Sequence, residues 1–439
     1  MRKILLMSGF VFLSGAIFAV NYQNQLVEKI DKLIEAPQIL KDLDVQEGLY
    51  ACIKENKVAD FSKIPRTRAL PLFEKYPTLK KALPHVSLGS YPTPIGEMKK
   101  IGQKLQLNSF FVKRDDLSGG ILAGGNDLPF GGNKVRKLEF LFGDLLAHGI
   151  KEVIAVGDAG SNFALATAAY AKQLGIQSTS MLVPQVNAHY VRRNLLLNHY
   201  CDAKLYYYPT DELRDIMVVG KFWRNKQKGK ECPYIFPSGG SSPLGVIGFV
   251  NAVFELKEQI EKGIMPEPDY LYVPFCSWGT AVGLLLGIQA SKLKTKVVAV
   301  SVGRQETLTS GKDLFEHANK LLRDLDPSFP LCEFSNGAFE FNNNFLGDGY
   351  AHFTKEGMDA NKLLNDTEGI ILAGTYSGKA CAALLDDVKK GKIKKDDTVL
   401  FWNTYCAESF EDITKNIDYK NLPPCFHCYF EEDVQLLDR

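Results

Sequence analysis

The sequence predicts an α/β fold of mostly parallel sheets covered by helices on both faces. Three observations carry that expectation. Short runs such as Glu152–Val156, Tyr270–Phe275 and Thr398–Trp402 are apolar at successive positions, the pattern of strands buried on both sides. Stretches with apolar residues three and four apart alternate with them. Turns rich in glycine and serine stand where strand passes into helix. At 439 residues, with 45% apolar and 23% charged side chains, the chain is long enough for two or three ordinary globular domains. A net charge of +1 with dispersed basic residues leaves no electrostatic footprint for nucleic acid.

The amino end opens with Arg2 and Lys3, then an uncharged apolar run from Ile4 to Val20 with Ala16 and Ala19 near its end. A basic start, an apolar run and small residues describe a secretory signal peptide over residues 1–20, so export to the periplasm or medium is expected. The run is marginally short for a membrane span. An uncleaved membrane anchor, or a buried helix on a cytoplasmic protein, stays open. Leu26, Ile30, Leu33 and Ile34 fall on one face of a short helix. Residues 21–85 read as an extension that wraps the main body.

From Pro92 the texture changes. Phe110–Val112 is a strand, and Gly119–Gly132 is a glycine-rich loop. Helix Lys134–Ala147 leads to strand Glu152–Val156, then helix Asn162–Leu174 and strand Thr179–Val183. Helix Val191–Asn198 and strand Lys204–Tyr208 follow. The order repeats with strand Tyr270–Phe275, a helix from Thr280, strand Val297–Val302 and strand Thr398–Trp402.

In such folds ligands sit at the carboxyl ends of strands, where turns present backbone N–H groups. Gly131-Gly132-Asn133 makes a tight turn that delivers Asn133 as an N-cap and Lys134 in the first helical turn. The positive end of the helix dipole disfavours a cation there, which lowers the lysine's pKa and supplies the neutral amine that imine chemistry needs. Taken alone, it reads as a surface lysine beside two other basic residues. Gly160-Ser161-Asn162 is either a bare cap or a ligand turn. Cys276-Ser277-Trp278-Gly279-Thr280-Ala281-Val282-Gly283 follows a strong strand and offers a nest of amides for a phosphate. It matches neither a Walker loop nor GxGxxG. Thr375-Tyr376-Ser377-Gly378-Lys379 is a further turn into a helix.

Together these motifs resemble one family. The segments Gly131–Glu139, Gly160–Asn162, Pro233–Gly245, Asp348-Gly349-Tyr350 and Tyr376–Ala380 are similar, in order, to the pyridoxal-phosphate-dependent group that contains D-cysteine desulfhydrase and 1-aminocyclopropane-1-carboxylate deaminase. The resemblance covers Val86 to Glu408. It implies the fold type II architecture, with pyridoxal 5′-phosphate in the cleft between two three-layer α/β domains. Residues 86–136 and 245–420 would form the large domain, 137–244 the small one and 421–439 a tail. Lys134 would hold the cofactor covalently. Asn162 would bind its ring hydroxyl, and Ser277, Gly279, Thr280, Ala281 and Gly283 its phosphate. Ser377 would sit at the pyridine nitrogen, Ser161 would contact the substrate carboxylate, and Tyr350 and Tyr376 would face the substrate.

The resemblance implies a lyase acting on a small amino acid, and a homodimer. Deaminase members carry glutamate where Ser377 stands, and a carboxylate there keeps the ring nitrogen protonated as a strong electron sink. A neutral hydroxyl suffices when a thiolate leaves, so D-cysteine is the expected substrate, with pyruvate, sulfide and ammonia as products. The cyclopropane deaminase and a cofactor-binding protein without turnover stay open as alternatives. The chain departs from the family at Ser242, usually Asn, and at Tyr405-Cys406, where two glycines are usual. Those bulkier side chains are expected to crowd the cofactor's edge. Cys425-Phe426-His427-Cys428 has half the spacing of a zinc site but no second pair, so no metal is expected and a local disulfide is the reading in an oxidising compartment. The histidines form no spaced ligand pair.

Overall fold

The computed structural model describes residues 60, 64–121, 128–303, 308–334 and 337–439. The leader at 1–20 and the helix expected around Leu26–Ile34 lie outside the described residues. Among those residues, ten strands follow one another: β1 (Ile95–Glu97), β2 (Ser109–Arg114), β3 (Glu152–Asp158), β4 (Gln177–Val183), β5 (Lys204–Tyr207), β6 (Tyr234–Phe236), β7 (Tyr270–Phe275), β8 (Lys296–Ser301), β9 (Phe339–Asn342) and β10 (Thr398–Asn403). They form two sheets, of order β1-β2-β10-β7-β8-β9 and β5-β4-β3-β6. Only β1 runs antiparallel to its neighbour.

Both faces of the larger sheet are buried, which is why its strands read as continuous apolar runs. Along β10, Val399 and Phe401 join the core on one side while Leu400 and Trp402 join the core on the other. Seven helices place the loops that matter below: α1 (Lys134–Ala147), α2 (Asn162–Gln173), α3 (His189–Tyr200), α4 (Pro243–Glu261), α5 (Gly279–Ser291), α6 (Lys355–Glu368) and α7 (Ser377–Lys389).

Helix α4 is buried on every side from Leu244 to Leu256, between α1 and α5. Ser242 caps it, accepting from Gly245 N–H at 3.1 Å, so serine does the local work that an asparagine would do there. Gly283 serves the fit of α5 on α4, since a Cβ at that position would stand 2.4 Å from Phe249 Cβ. The described part of the amino-terminal extension joins the largest core through Leu70, Leu72, Phe73 and Leu79. It is tied down by Glu139 of α1, whose carboxylate accepts from Leu88 N–H, Gly89 N–H and Arg68 Nη2.

Candidate active site

Strand ends and helix starts converge on one cleft between the two sheets. Its walls carry Gly131 to Lys134, Lys137, Asn162, the run Pro274 to Thr280, Tyr376, and Thr404 to Cys406. The space between these walls totals about 550 Å³ counted out to solvent. Tyr405 and Cys406 line it, where their bulk was expected, and so does Trp278. The half-buried Tyr405 ring lies under Arg193, whose guanidinium is 5.7 Å from its ring centre.

The loop before α1 is positioned by backbone geometry. Gly132 has φ +95, and a Cβ there would stand 3.0 Å from Thr404 O. Its N–H donates to Asp115 O at 3.0 Å, and Asn133 N–H donates to Thr404 O at 3.1 Å. Asn133 does not cap the helix as expected. It is already helical, and its Nδ2 reaches across to Thr280 Oγ1 at 3.1 Å, joining the lysine loop to the start of α5.

Lys134 then points into the cleft with its pKa lowered to about 8. Burial is the cause, opposed by the nearby Cys276 thiol. Desolvation rather than the helix dipole therefore makes the amine available. One turn on, Lys137 is fully buried and donates to Gly239 O at 3.0 Å and Ser241 Oγ at 3.3 Å. Burial pushes its pKa well down, and the charge of Lys134 pushes it further. Both of its acceptors are neutral.

The turn into α5 meets this ammonium. Trp278 has φ +62, and Gly279 N–H closes back on Ser277 O at 2.7 Å, a strained γ-turn. Trp278 is held there by its ring contacts with Phe275 and Phe341, with centroids 4.4 and 5.9 Å away. Gly279 N–H also donates to Ser241 Oγ at 3.1 Å, and Ser241 meets Ser277 at 2.8 Å. A Cβ on Gly279 would stand 2.7 Å from Lys137 Nζ, so only glycine leaves this cradle open.

On the opposite wall, Asn162 accepts from Asn194 Nδ2 at 2.9 Å through Oδ1, which leaves its own Nδ2 for the cleft. Tyr376 and Tyr350 share a hydrogen bond of 2.5 Å, and burial holds both phenols well above their ordinary pKa. Tyr350, Ser161, Ser377, Ala281 and Gly283 are not on the cleft wall. Ser161 caps α2, accepting from Ala164 N–H at 3.2 Å. Ser377, fully buried behind Tyr376, accepts from Ala373 N–H at 2.8 Å. Ala281 and Gly283 lie further along α5, inside the core. Lys137 was missed by sequence reasoning, although its spacing of three from Lys134 puts both ammonium groups on one helix face. The expected disulfide is absent, as Cys425 and Cys428 are both free thiols, exposed on either side of a short turn.

These groups fit pyridoxal 5′-phosphate in kind. A buried ammonium facing a helix N-terminus asks for a phosphate, a lysine neutral near pH 8 suits an aldehyde, and Asn162 Nδ2 suits a ring hydroxyl. Beside Thr404, the buried Asn403 Nδ2 lacks a hydrogen-bond partner, as does Trp278 Nε1.

Comparison with known proteins agrees. A Pyrococcus abyssi protein named "Putative 1-aminocyclopropane-1-carboxylate deaminase" is 32% identical over 370 residues, 83% of this chain and 99% of that protein. A D-cysteine desulfhydrase of Klebsiella pneumoniae is 30% identical over 332 residues, 73% of this chain and 93% of the enzyme. The crystal structure of an ACC deaminase homologue superposes with a TM-score of 0.64 at 28% identity, covering 80% of this chain and all of that one. A threonine deaminase from Solanum lycopersicum shares the fold, with a TM-score of 0.50 at 14% identity over 82% of this chain and 96% of its own. The profile of pyridoxal-phosphate dependent enzymes matches residues 86–404, the stretch that builds both sheets and every wall of the cleft up to Thr404. The chain belongs to the family of pyridoxal-phosphate-dependent enzymes.

Proposed function

We propose that this protein is a lyase that eliminates the β-substituent of a small amino acid, with D-cysteine as substrate. One water is consumed, and pyruvate, ammonia and hydrogen sulfide are released. The observation that carries this reading is the charge of the cleft: its described walls hold two lysines and no carboxylate. Nothing there would keep a pyridine nitrogen protonated, as opening an unactivated cyclopropane requires, whereas a thiolate leaves without so strong a sink.

The bound cofactor supplies an electron sink for a carbanion at the substrate's α-carbon. Lys137 and the first turn of α5, with Ser277, Gly279 and Thr280, would hold the phosphate. Asn162 would donate to the ring hydroxyl, and Ser377, whose Oγ accepts from Ala373 N–H, would turn its proton to the ring nitrogen. Lys134 would hold the cofactor through its aldehyde, and the same Nζ would take the substrate's α-proton. Tyr376 stays protonated at neutral pH, with Tyr350 as its hydrogen-bond partner, and would give its proton to the departing sulfur. Ser161 meets the substrate carboxylate after breaking its cap. The proposal includes export by the leader at 1–20 and a homodimer, checked by the mass of the mature chain and by light scattering.

Purified holoprotein should release pyruvate and sulfide from D-cysteine and no 2-oxobutanoate from 1-aminocyclopropane-1-carboxylate. Ser377→Glu should reverse that preference, and an unchanged preference would overturn the role given to the cleft's charge. The crowding by Trp278, Tyr405 and Cys406 favours a second reading, a cofactor-binding protein without turnover. A cofactor spectrum with no product from either amino acid would establish it.

A further inference from the structure

Past the stretch that matches the family, the chain ends in a strap, Tyr419–Arg439, laid across loops of both sheets. Leu422, Phe426 and Tyr429 are buried against Ala159, Ala164, Val191 and Leu195, on the side of the smaller sheet. The strap's polar contacts there are dense. Tyr429 Oη accepts from Gln185 N–H at 3.0 Å. Arg192 donates to the carbonyls of Tyr429 and Glu432 at 2.6 and 2.7 Å. Asp438 accepts from His189 N–H at 2.6 Å and so caps α3, whose own Ala188 has no side chain to do it.

Gln435 then crosses to the other side. Its N–H donates to Asn187 O at 3.0 Å, in the loop after β4. Its side-chain amide pairs twice with the loop before α6, accepting from Phe353 N–H at 2.7 Å and donating to Ala351 O at 3.1 Å. Ala351 is held at φ +66, a conformation that a residue with a Cβ resists. Its neighbour is Tyr350, the partner of Tyr376. On the first side, Gln185 accepts from Gly160 N–H at 2.7 Å and donates to Tyr190 Oη at 2.8 Å, which in turn meets Thr375 at 3.1 Å. Both loops gripped by the strap therefore end on residues that back the cleft wall: Tyr350 bonds Tyr376, Thr375 precedes it, and Gly160 leads into Asn162. None of them ends on the phosphate side.

We propose that Gln435 is a positioning residue: by clasping the 351–353 loop to the loop after β4, it sets where the Tyr350–Tyr376 pair stands and so governs how the cleft engages its substrate. This rests on the reading of those tyrosines as substrate-facing. The clasp acts on substrate and leaves cofactor retention alone.

The test is Gln435→Met in the full-length holoprotein, which keeps the side chain's length and removes both hydrogen bonds. Amide exchange at Phe353 should accelerate at least tenfold, as its acceptor is lost, and KM for D-cysteine should rise roughly tenfold. The cofactor's absorbance and kcat should stay near wild type. Gln435→Glu keeps the acceptor for Phe353 N–H and should restore most of that protection. Asp433→Ala, at an exposed side chain paired only with Arg439, should change nothing. Unchanged exchange at Phe353 would overturn the clasp. So would kcat and cofactor absorbance falling together at constant KM, the mark of a merely structural role. If wild-type protein neither binds nor turns over D-cysteine, it is the functional reading that fails. The exchange measurement needs no ligand and still decides the clasp.

Discussion

Replacing Lys137 with methionine should move two properties in opposite directions. The ammonium is fully buried, has only Gly239 O and Ser241 Oγ as acceptors among the described residues, and lies on the same helix face as Lys134. Without an anion beside it, its lost hydration is uncompensated, which is why its pKa is pushed well down. Methionine keeps the length of the chain and removes the charge, so the cofactor-free protein should be as stable as wild type or more so. Hydrogen bonds to a charged partner contribute about 1.5–3 kcal/mol, so affinity for the cofactor should fall about ten- to a hundredfold. The thermal stabilisation conferred by saturating cofactor should shrink accordingly.

The assay is equilibrium titration of resolved protein with pyridoxal 5′-phosphate, run beside thermal unfolding with and without it. Inorganic phosphate serves as a second probe, since it tests the cradle without the aldehyde. A variant that binds cofactor as tightly as wild type would refute the assignment of Lys137 to the phosphate. A cofactor-free variant destabilised by more than about 2 kcal/mol would refute the claim that its charge is uncompensated.

Two further outcomes follow from the titrations of α1. Burial raises the pKa of Glu139, but Arg68, His85 and the Leu88 amide outweigh it and hold the carboxyl at about 2. Its stabilisation is therefore complete above its unfolded pKa of about 4.5 and lost as pH falls toward 2, so Glu139→Gln should cost roughly 3 kcal/mol at pH 7 and progressively less in acid, read from urea midpoints. Lys134, with its pKa near 8, must be neutral to attack the aldehyde, so cofactor loading onto resolved protein should quicken about tenfold per pH unit below that value and level off above it. A flat profile from pH 6 to 9 would refute the assignment of the low pKa to Lys134.

The parts of the fold that could be read in advance were those whose sequence pattern is set by local geometry. β7 was placed to the residue at Tyr270–Phe275, and β3 and β10 ran only one or two residues past their expected ends. Helix α4 escaped notice because it is buried nearly all round, with Asn251, Glu255 and Gln259 inside the protein as well, leaving no polar stripe for a period to mark. β1, β6 and β9 are three or four residues long, too short to show any period. In the site, Lys134, Asn162, Ser277, Gly279, Thr280 and Tyr376 do meet. Lys137 was invisible for a different reason. Its neighbours Arg136 and Lys134 made the segment look like a solvated basic patch, and the groups that keep all three from solvent come from distant β2, α4 and the loop at Gly239. Trp278 was equally unreadable, since a tryptophan at positive φ is tolerated only because Phe275 and Phe341 are there to receive its ring.

How the protein treats its other buried cations gives Lys137 its meaning. Arg136, adjacent in sequence, pairs with Asp115 at 2.7 Å and Glu255 at 3.0 Å. Lys113 pairs with the same Glu255 at 2.6 Å, and Trp402 Nε1 and Thr93 Oγ1 complete the bonds to Asp115. Two cations meet two carboxylates there, so the cluster under the lysine loop is neutral overall. Arg68 is answered by Glu139. A fold that supplies a carboxylate to each of these could have supplied one to Lys137, and the cost of leaving a buried charge unanswered is large enough to be selected against. It is tolerated where an anion arrives from outside, and among these groups Lys137 alone stands on the cleft wall, against the first turn of α5.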